Sequence, residues 1–314
     1  MPAAFRRKLQ KLTYLDFEGH DRHEWLTPAL GDEELLAELK KVPPNDLFLG
    51  RYSEAEIKAR LESHGITAKL QAQGFPAPMV EIRTDEVYTH RLYVYTDRRD
   101  YDHILIELRL REGIFAPREQ FVPACPLGPL AMILVDWLML QNPRRGFEGV
   151  RPRLPQQRHP GLGLLQDLIP LVIEVVEDSG RGGVLDVPEH YHGALFYSRW
   201  FRFFNPAMEG RFLAMQRDLG GLSLHVISNA IDQDCLVNLG AGKPEKWGPG
   251  EQILPICAEL KAYFNHRQYQ EARDRAFLAN RYALDLERFE RRAREEREQG
   301  ESGGAAPGGD NEKH

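Results

Sequence analysis

The sequence is poor in cysteine, in long apolar runs and in any surplus of one charge sign, and each scarcity removes a class of protein. Three cysteines (Cys125, Cys235, Cys257) lie far apart in 314 residues, odd in number and without CxxC spacing. They exclude a disulfide scaffold and a cysteine-based zinc site, and they fit a reducing compartment. The longest uncharged apolar stretch, 121–135, is 15 residues long and broken by three prolines and a glycine. A spanning helix needs about 20 residues. Forty-one basic against forty-seven acidic residues give a net charge of −6, so nothing global points to nucleic acid or an anionic membrane surface. The first twenty residues carry basic side chains with no apolar run behind them, so no secretory signal is expected. The expectation is a cytoplasmic protein with no membrane and no nucleic-acid partner. No repeat recurs at a fixed period.

What is present is an alternation of helix and strand signals. Thr13–Phe17 is a strand candidate, and Asp32–Lys41 has the acidic start, basic end and apolar spacing of an amphipathic helix. Ser53–Gly65 predicts a helix more sharply: Ser53 caps it, Glu56 completes a capping box and Gly65 ends it. Glu86–Thr96 and His103–Arg111 alternate apolar and polar residues around a polar DRRDYD turn, which predicts an antiparallel hairpin. Leu130–Leu140 is apolar at nearly every position, and periodicity leaves open whether it is a buried strand or a buried helix. A loop rich in Pro, Arg and Gly follows over 143–160. Then come a helix that opens at a glycine pair, holds Pro170 and ends at Gly180, a short strand at Gly183–Val187, a helix at His190–Trp200 and an aromatic strand at Phe201–Phe204. Beyond residue 206 the signals are a helix at Met208–Leu219, short strands, a helix near Ala258–Tyr269, a charged helix at Arg281–Gln299 and a tail of disordered composition.

Arg158-His159-Pro160-Gly161-Leu162-Gly163 stands at a loop-to-helix junction. Two glycines let backbone approach a ligand, and the first turn of a helix offers unsatisfied N–H groups and partial positive charge to a pyrophosphate. Arg158, Arg153 and His159 add charge beside it. A glycine pair at a helix start is also a common structural junction, so the order of elements carries the weight. Buried run, RxxGxG, long apolar helix, short strand and a tyrosine-bearing helix together resemble the GNAT superfamily of N-acyltransferases. Its Arg/Gln-x-x-Gly-x-Gly/Ala motif stands here as Arg158, Gly161 and Gly163, and its later motif is echoed by His190, Gly193, Phe196-Tyr197 and Phe201. His190 replaces the family's Asn, and Phe201-Arg202 replaces its Gly-Phe. The likeness is closest over 131–204, about a quarter of the chain, and looser over 12–220; 221–285 reads as a C-terminal extension and 286–314 as a charged helix and tail.

The resemblance implies an α/β fold with a mixed, mostly antiparallel central sheet flanked by helices. It implies direct transfer of an acyl group, acetyl in the first instance, from coenzyme A to an amine, small molecule or protein. Leu138, Leu140, Arg158, His159, Gly161, Leu162, Gly163 and Leu164 would hold the coenzyme. Tyr197 stands where the family has its general acid, although an aromatic packing a helix onto a sheet would look the same. Asp136 and Glu189 are the candidate bases. No metal is expected: His190 and His192 at a helix start would point to different sides, and a third ligand is not evident. The rival reading is a non-catalytic GNAT-fold protein that binds coenzyme A or a protein partner.

Overall fold

The computed structural model describes residues 46–86, 89–117, 119–147 and 152–303. The strand expected at Thr13–Phe17, the helix at Asp32–Lys41 and the tail beyond 303 lie outside them. The fold is mixed α/β, with a mostly antiparallel seven-stranded sheet flanked by helices. Among the described residues no helix is long and apolar enough to cross a membrane.

Helix α1 (Glu54–Ser63) forms where the capping box predicts it. The Glu56 amide donates to Ser53 Oγ at 3.3 Å, and Glu56 Oε2 accepts from the Ser53 amide at 2.8 Å. After α2 (Ile66–Ala72) the chain makes a four-strand antiparallel meander: β1 (Met79–Glu86), β2 (Thr89–Tyr95), β3 (Ile104–Phe115) and β4 (Leu130–Leu140). The expected hairpin is β2–β3. Strand β1 precedes it, between the prolines at 76 and 78 and the turn into β2, and adds a strand to the hairpin the sequence predicts. Leu130–Leu140 is a strand. Its two faces enter different cores, which an unbroken apolar run permits and an amphipathic helix would not.

Helix α3 (Leu165–Ser179) crosses over to β5 (Gly183–Asp186), which lies parallel to β4 through the pairs Ile133↔Val184 and Leu134↔Leu185. A short α4 (Tyr191–Tyr197) and β6 (Arg202–Phe203) follow. Next come α5 (Pro206–Leu219), α6 (Leu224–Asp232), β7 (Leu236–Asn238) and β8 (Lys243–Pro244). Strand β9 (Gln252–Pro255) then inserts between β5 and β6, giving the sheet order β1-β2-β3-β4-β5-β9-β6. Thus part of the stretch read as an extension lies inside the main sheet. The helix expected near Ala258–Tyr269 is two helices, α7 (Ala258–Asn265) and α8 (Arg267–Ala279), because His266 takes an extended conformation and caps the second. Strand β10 (Tyr282–Leu284) pairs with β7 in a small second sheet, and the charged helix α9 begins at Leu286.

One core lies between α1, α2, α3 and one face of the sheet, built from Ile57, Leu61, Ile66, Leu70, Leu108, Ile133, Leu168 and Val175 among others. A second lies on the opposite face, where Tyr263, Phe264 and Tyr269 of α7 and α8 cover Phe115, Met132 and Leu134. A third joins α4, α5, α6 and the small sheet. Close packing fixes one residue outright: a Cβ on Gly183 would stand 2.5 Å from the carbonyl oxygen of Leu254, so β5 meets β9 only with glycine there.

Candidate functional site

The site is where β5 leaves β4. Their parallel pairing stops at Leu134 and Leu185; Asp186 still pairs with Gln252 of β9, but β4 runs on from Val135 to Met139 with no strand on that side among the described residues. At the same place β4 carries a bulge. Arg109 pairs with Trp137 and Leu110 with Val135, so Asp136 is the extra residue. A bulge adds local twist and re-aims the strand. It also shifts the alternation, so that Ile133 and Val135 before it and Leu138 and Leu140 after it all face the first core.

The glycine motif seats against the far end of this open edge. Gly161 bridges Gln141, the Asn142 amide donates to the Pro160 carbonyl at 2.8 Å, and the Leu162 amide donates to the Leu140 carbonyl at 3.4 Å. The two glycines therefore precede α3 instead of opening it. Leu162 and Leu164 bury their side chains in the first core, while Gly161 and Gly163 stay exposed. Gly163 has φ +71°, a left-handed conformation that favours glycine. Leu164 is the N-cap of α3 and has no side chain able to cap it. Among the described residues the amides of Gly163, Leu164, Leu165 and Gln166 have no hydrogen-bond partner, and such donors at a helix start suit an anion. Asp167 in that first turn is matched by Lys69, whose Nζ lies 2.7 Å from both carboxylate oxygens.

Around this cradle Arg158 is exposed, with its guanidinium 5.0 Å from the ring centre of Tyr101 in the β2–β3 turn. His159 is half-buried. Arg153 is engaged by the Gln157 carbonyl, and its own carbonyl accepts from Asn229 at 3.1 Å. Leu138, Leu140 and Tyr197 are each partly buried against the first core. Tyr197 packs its ring 5.2 Å from that of Phe201. Burial holds its hydroxyl proton well above the ordinary tyrosine range, and the negative charge of Asp186 adds to the effect. Asp186 itself is buried at the end of β5. Its one signal in the sequence is a carboxylate closing a four-residue apolar strand.

The two candidate bases are placed differently. Asp136 sits at the bulge, paired with Arg111 of β3. Glu189 is exposed in the bend before α4. The two histidines correct an expectation: they do not diverge. His190 takes an extended conformation as the N-cap of α4, and its ring stacks on that of His192, centroids 5.3 Å apart and planes 12° from parallel. Each is anchored by α6, His190 to Asp232 at 2.8 Å and His192 to Ser228 at 2.7 Å. Among the described residues no group of three or more His, Cys, Asp or Glu is placed to hold a metal ion. A cavity of about 250 Å³ lined by Leu61, Leu70, Val80 and Val94 lies under α1 and α2 at the β1–β2 side of the sheet, away from the β4–β5 opening.

No family model, no curated protein and no solved structure matches the chain.

Proposed function

We propose that this chain is an acyl-coenzyme A-dependent N-acyltransferase built on a GNAT-like core, moving an acyl group, acetyl in the first instance, to an amine. The observation that carries the reading is the opening between β4 and β5, bulged at Asp136 and flanked by the uncapped start of α3. A sheet separates its two faces; two substrates approaching from opposite faces meet where neighbouring strands part. The amides of Gly163, Leu164, Leu165 and Gln166 offer the pyrophosphate its donors, and the free edge of β4 along Leu138–Leu140 offers amides to the pantetheine arm and to the oxygen that becomes negative in the tetrahedral intermediate.

The amine attacks the thioester carbonyl, its proton leaves to a base, and collapse of the intermediate breaks the carbon–sulfur bond and releases thiolate. Tyr197 stays protonated at neutral pH and suits the donor side of that last step. A thiol titrates at about 8.5, far below this tyrosine, so Tyr197 donates a hydrogen bond to the departing sulfur more readily than a whole proton. Asp186, close enough for its charge to act on Tyr197, joins Asp136 and Glu189 as a candidate base.

Calorimetric titration with acetyl-coenzyme A and coenzyme A tests the binding half. Micromolar affinity is expected, and a folded protein that binds neither would sink the reading. Tyr197→Phe tests the chemical half: turnover should fall at least about tenfold with coenzyme affinity held within about twofold. One observation favours a second reading, a coenzyme-binding protein without catalysis: the carboxylate nearest the bulge, Asp136, is already engaged by Arg111. Binding without thiol release across an amine panel would select it.

A further inference from the structure

The face of the sheet opposite the glycine loop carries an arginine row that the proposed chemistry has not used. Arg83 on β1 stands directly across from Arg91 on β2, Arg91 across from Arg109 on β3, and Arg109 across from Trp137 on β4. Like charges directly opposite on neighbouring strands destabilise a sheet. Glu81 and Glu107 lie in the next row of the same face. Glu81 holds Arg83 at 2.6 Å, but Glu107 lies 3.7 Å from an Arg109 terminal nitrogen, and the Nε of Arg109 is buried without a hydrogen-bond partner. The Arg109 side chain is 39% exposed and its neighbour Trp137 38%. Trp137 directly follows the bulge residue Asp136, at the point where β5 has left β4.

An exposed guanidinium with unspent donors matches a planar carboxylate, which it grips with two parallel hydrogen bonds. The exposed indole beside it offers an apolar wall. We infer that Arg109 and Trp137 form the acceptor subsite, and that the amine acylated here carries a carboxylate, as a compact amino acid does. This rests on the acyltransferase reading. Neighbouring strands are about 4.8 Å apart, so an acid gripped by Arg109 holds its amine at the β4 opening only when amine and carboxylate are a few bonds apart. Long diamines and amines without an acidic group gain nothing from this face.

The test is thiol release from acetyl-coenzyme A with matched acceptors: amino acids against the amines left when their carboxylate is removed, and phosphoethanolamine against ethanolamine. The wild type should favour the acids by about tenfold or more in kcat/KM, and Arg109→Ala should reduce that preference to within about threefold, mostly through KM. Arg109→Lys, which keeps the charge without the fork, should restore only part of it. Equal use of acid and amine by the wild type overturns the assignment, as does an undiminished preference in Arg109→Ala. A preference for phosphoethanolamine over every carboxylate overturns the carboxylate and leaves the subsite to phosphate. Calorimetry with acetyl-coenzyme A separates the two levels: absent coenzyme binding removes the acyltransferase reading and this one with it, whereas coenzyme binding with no acid preference removes this one alone.

Discussion

His192 shows how one side chain couples the candidate site to pH. Its pKa is lowered from about 6.5 to about 4, chiefly by burial and in part by the neighbouring His190, while Asp232 opposes. The groups facing it are His190 stacked on one side, Ser228 of α6 on its Nδ1 and Phe196 edge-on from its own helix. The folded pKa lies below the unfolded one, so the unfolded chain binds more protons between them. The stabilisation from neutral His192 is complete above about pH 6.5 and is lost as pH falls toward about 4, with a slope approaching roughly 1.4 kcal/mol per pH unit. Urea melts at pH 7 and pH 5 should show the wild type losing more stability than His192→Gln. Equal losses would mean that this histidine is not the group being titrated.

At the scale of elements, the start of α3 and the end of β4 make one unit, and the glycines within it have separable roles. A Cβ on Gly161 would find the Leu140 carbonyl oxygen at 3.6 Å, an ordinary contact, so the fold has room for a side chain there. Gly163 has open space as well, but its φ of +71° makes a side chain strained by about 1 kcal/mol or more. Gly161→Val should therefore keep its melting temperature within about 3 °C of the wild type, a change below ~1 kcal/mol. On the proposed reading it should weaken coenzyme A at least about tenfold, because a branched side chain would stand beside the Leu140 carbonyl on the β4 edge, where the coenzyme is proposed to lie. Unchanged affinity would remove this junction as the proposed pyrophosphate site. The β2–β3 hairpin, the short strand β5 after α3 and the capping box of α1 were legible because each is a local pattern with a local cause. The bulge at Asp136 was not, since a bulge is defined by the partner strand; the pairing of Arg109 with Trp137 and Leu110 with Val135 exists only once β3 and β4 meet. The stacking of His190 on His192 was hidden for a similar reason: one residue of difference in where α4 begins turns two diverging side chains into neighbours.

At the scale of the molecule, the local patterns within 131–204 could not show that residues far beyond them complete the sheet. Strand β9 is four residues long, too short for its alternation to stand out, yet it pairs with β5 from Gly183↔Pro255 to Asp186↔Gln252 and with β6 on its other side. Gln252 is fully buried and donates to the Ala194 carbonyl of α4 at 3.3 Å. The helices after it reach back too. Tyr263 donates to the Phe204 carbonyl at 2.9 Å and Tyr269 to that of Phe203 at 2.7 Å, and both rings lie in the core over Phe115 and Leu134. Burying one large apolar side chain is worth about 1.5–3 kcal/mol, so Leu260, Tyr263, Phe264 and Tyr269 together contribute on the order of 6–12 kcal/mol. That is comparable to the whole stability of a typical domain, about 5–15 kcal/mol. A chain ending at residue 220 keeps the glycine motif, β4, β5 and Tyr197 but loses β9, α7 and α8, leaving β5 an open edge and the second core uncovered. It should show no cooperative urea transition and should bind a dye for exposed apolar surface. A cooperative transition with native near-ultraviolet dichroism would make β9 and the two helices dispensable, and the folding unit would then be smaller than the sheet order implies.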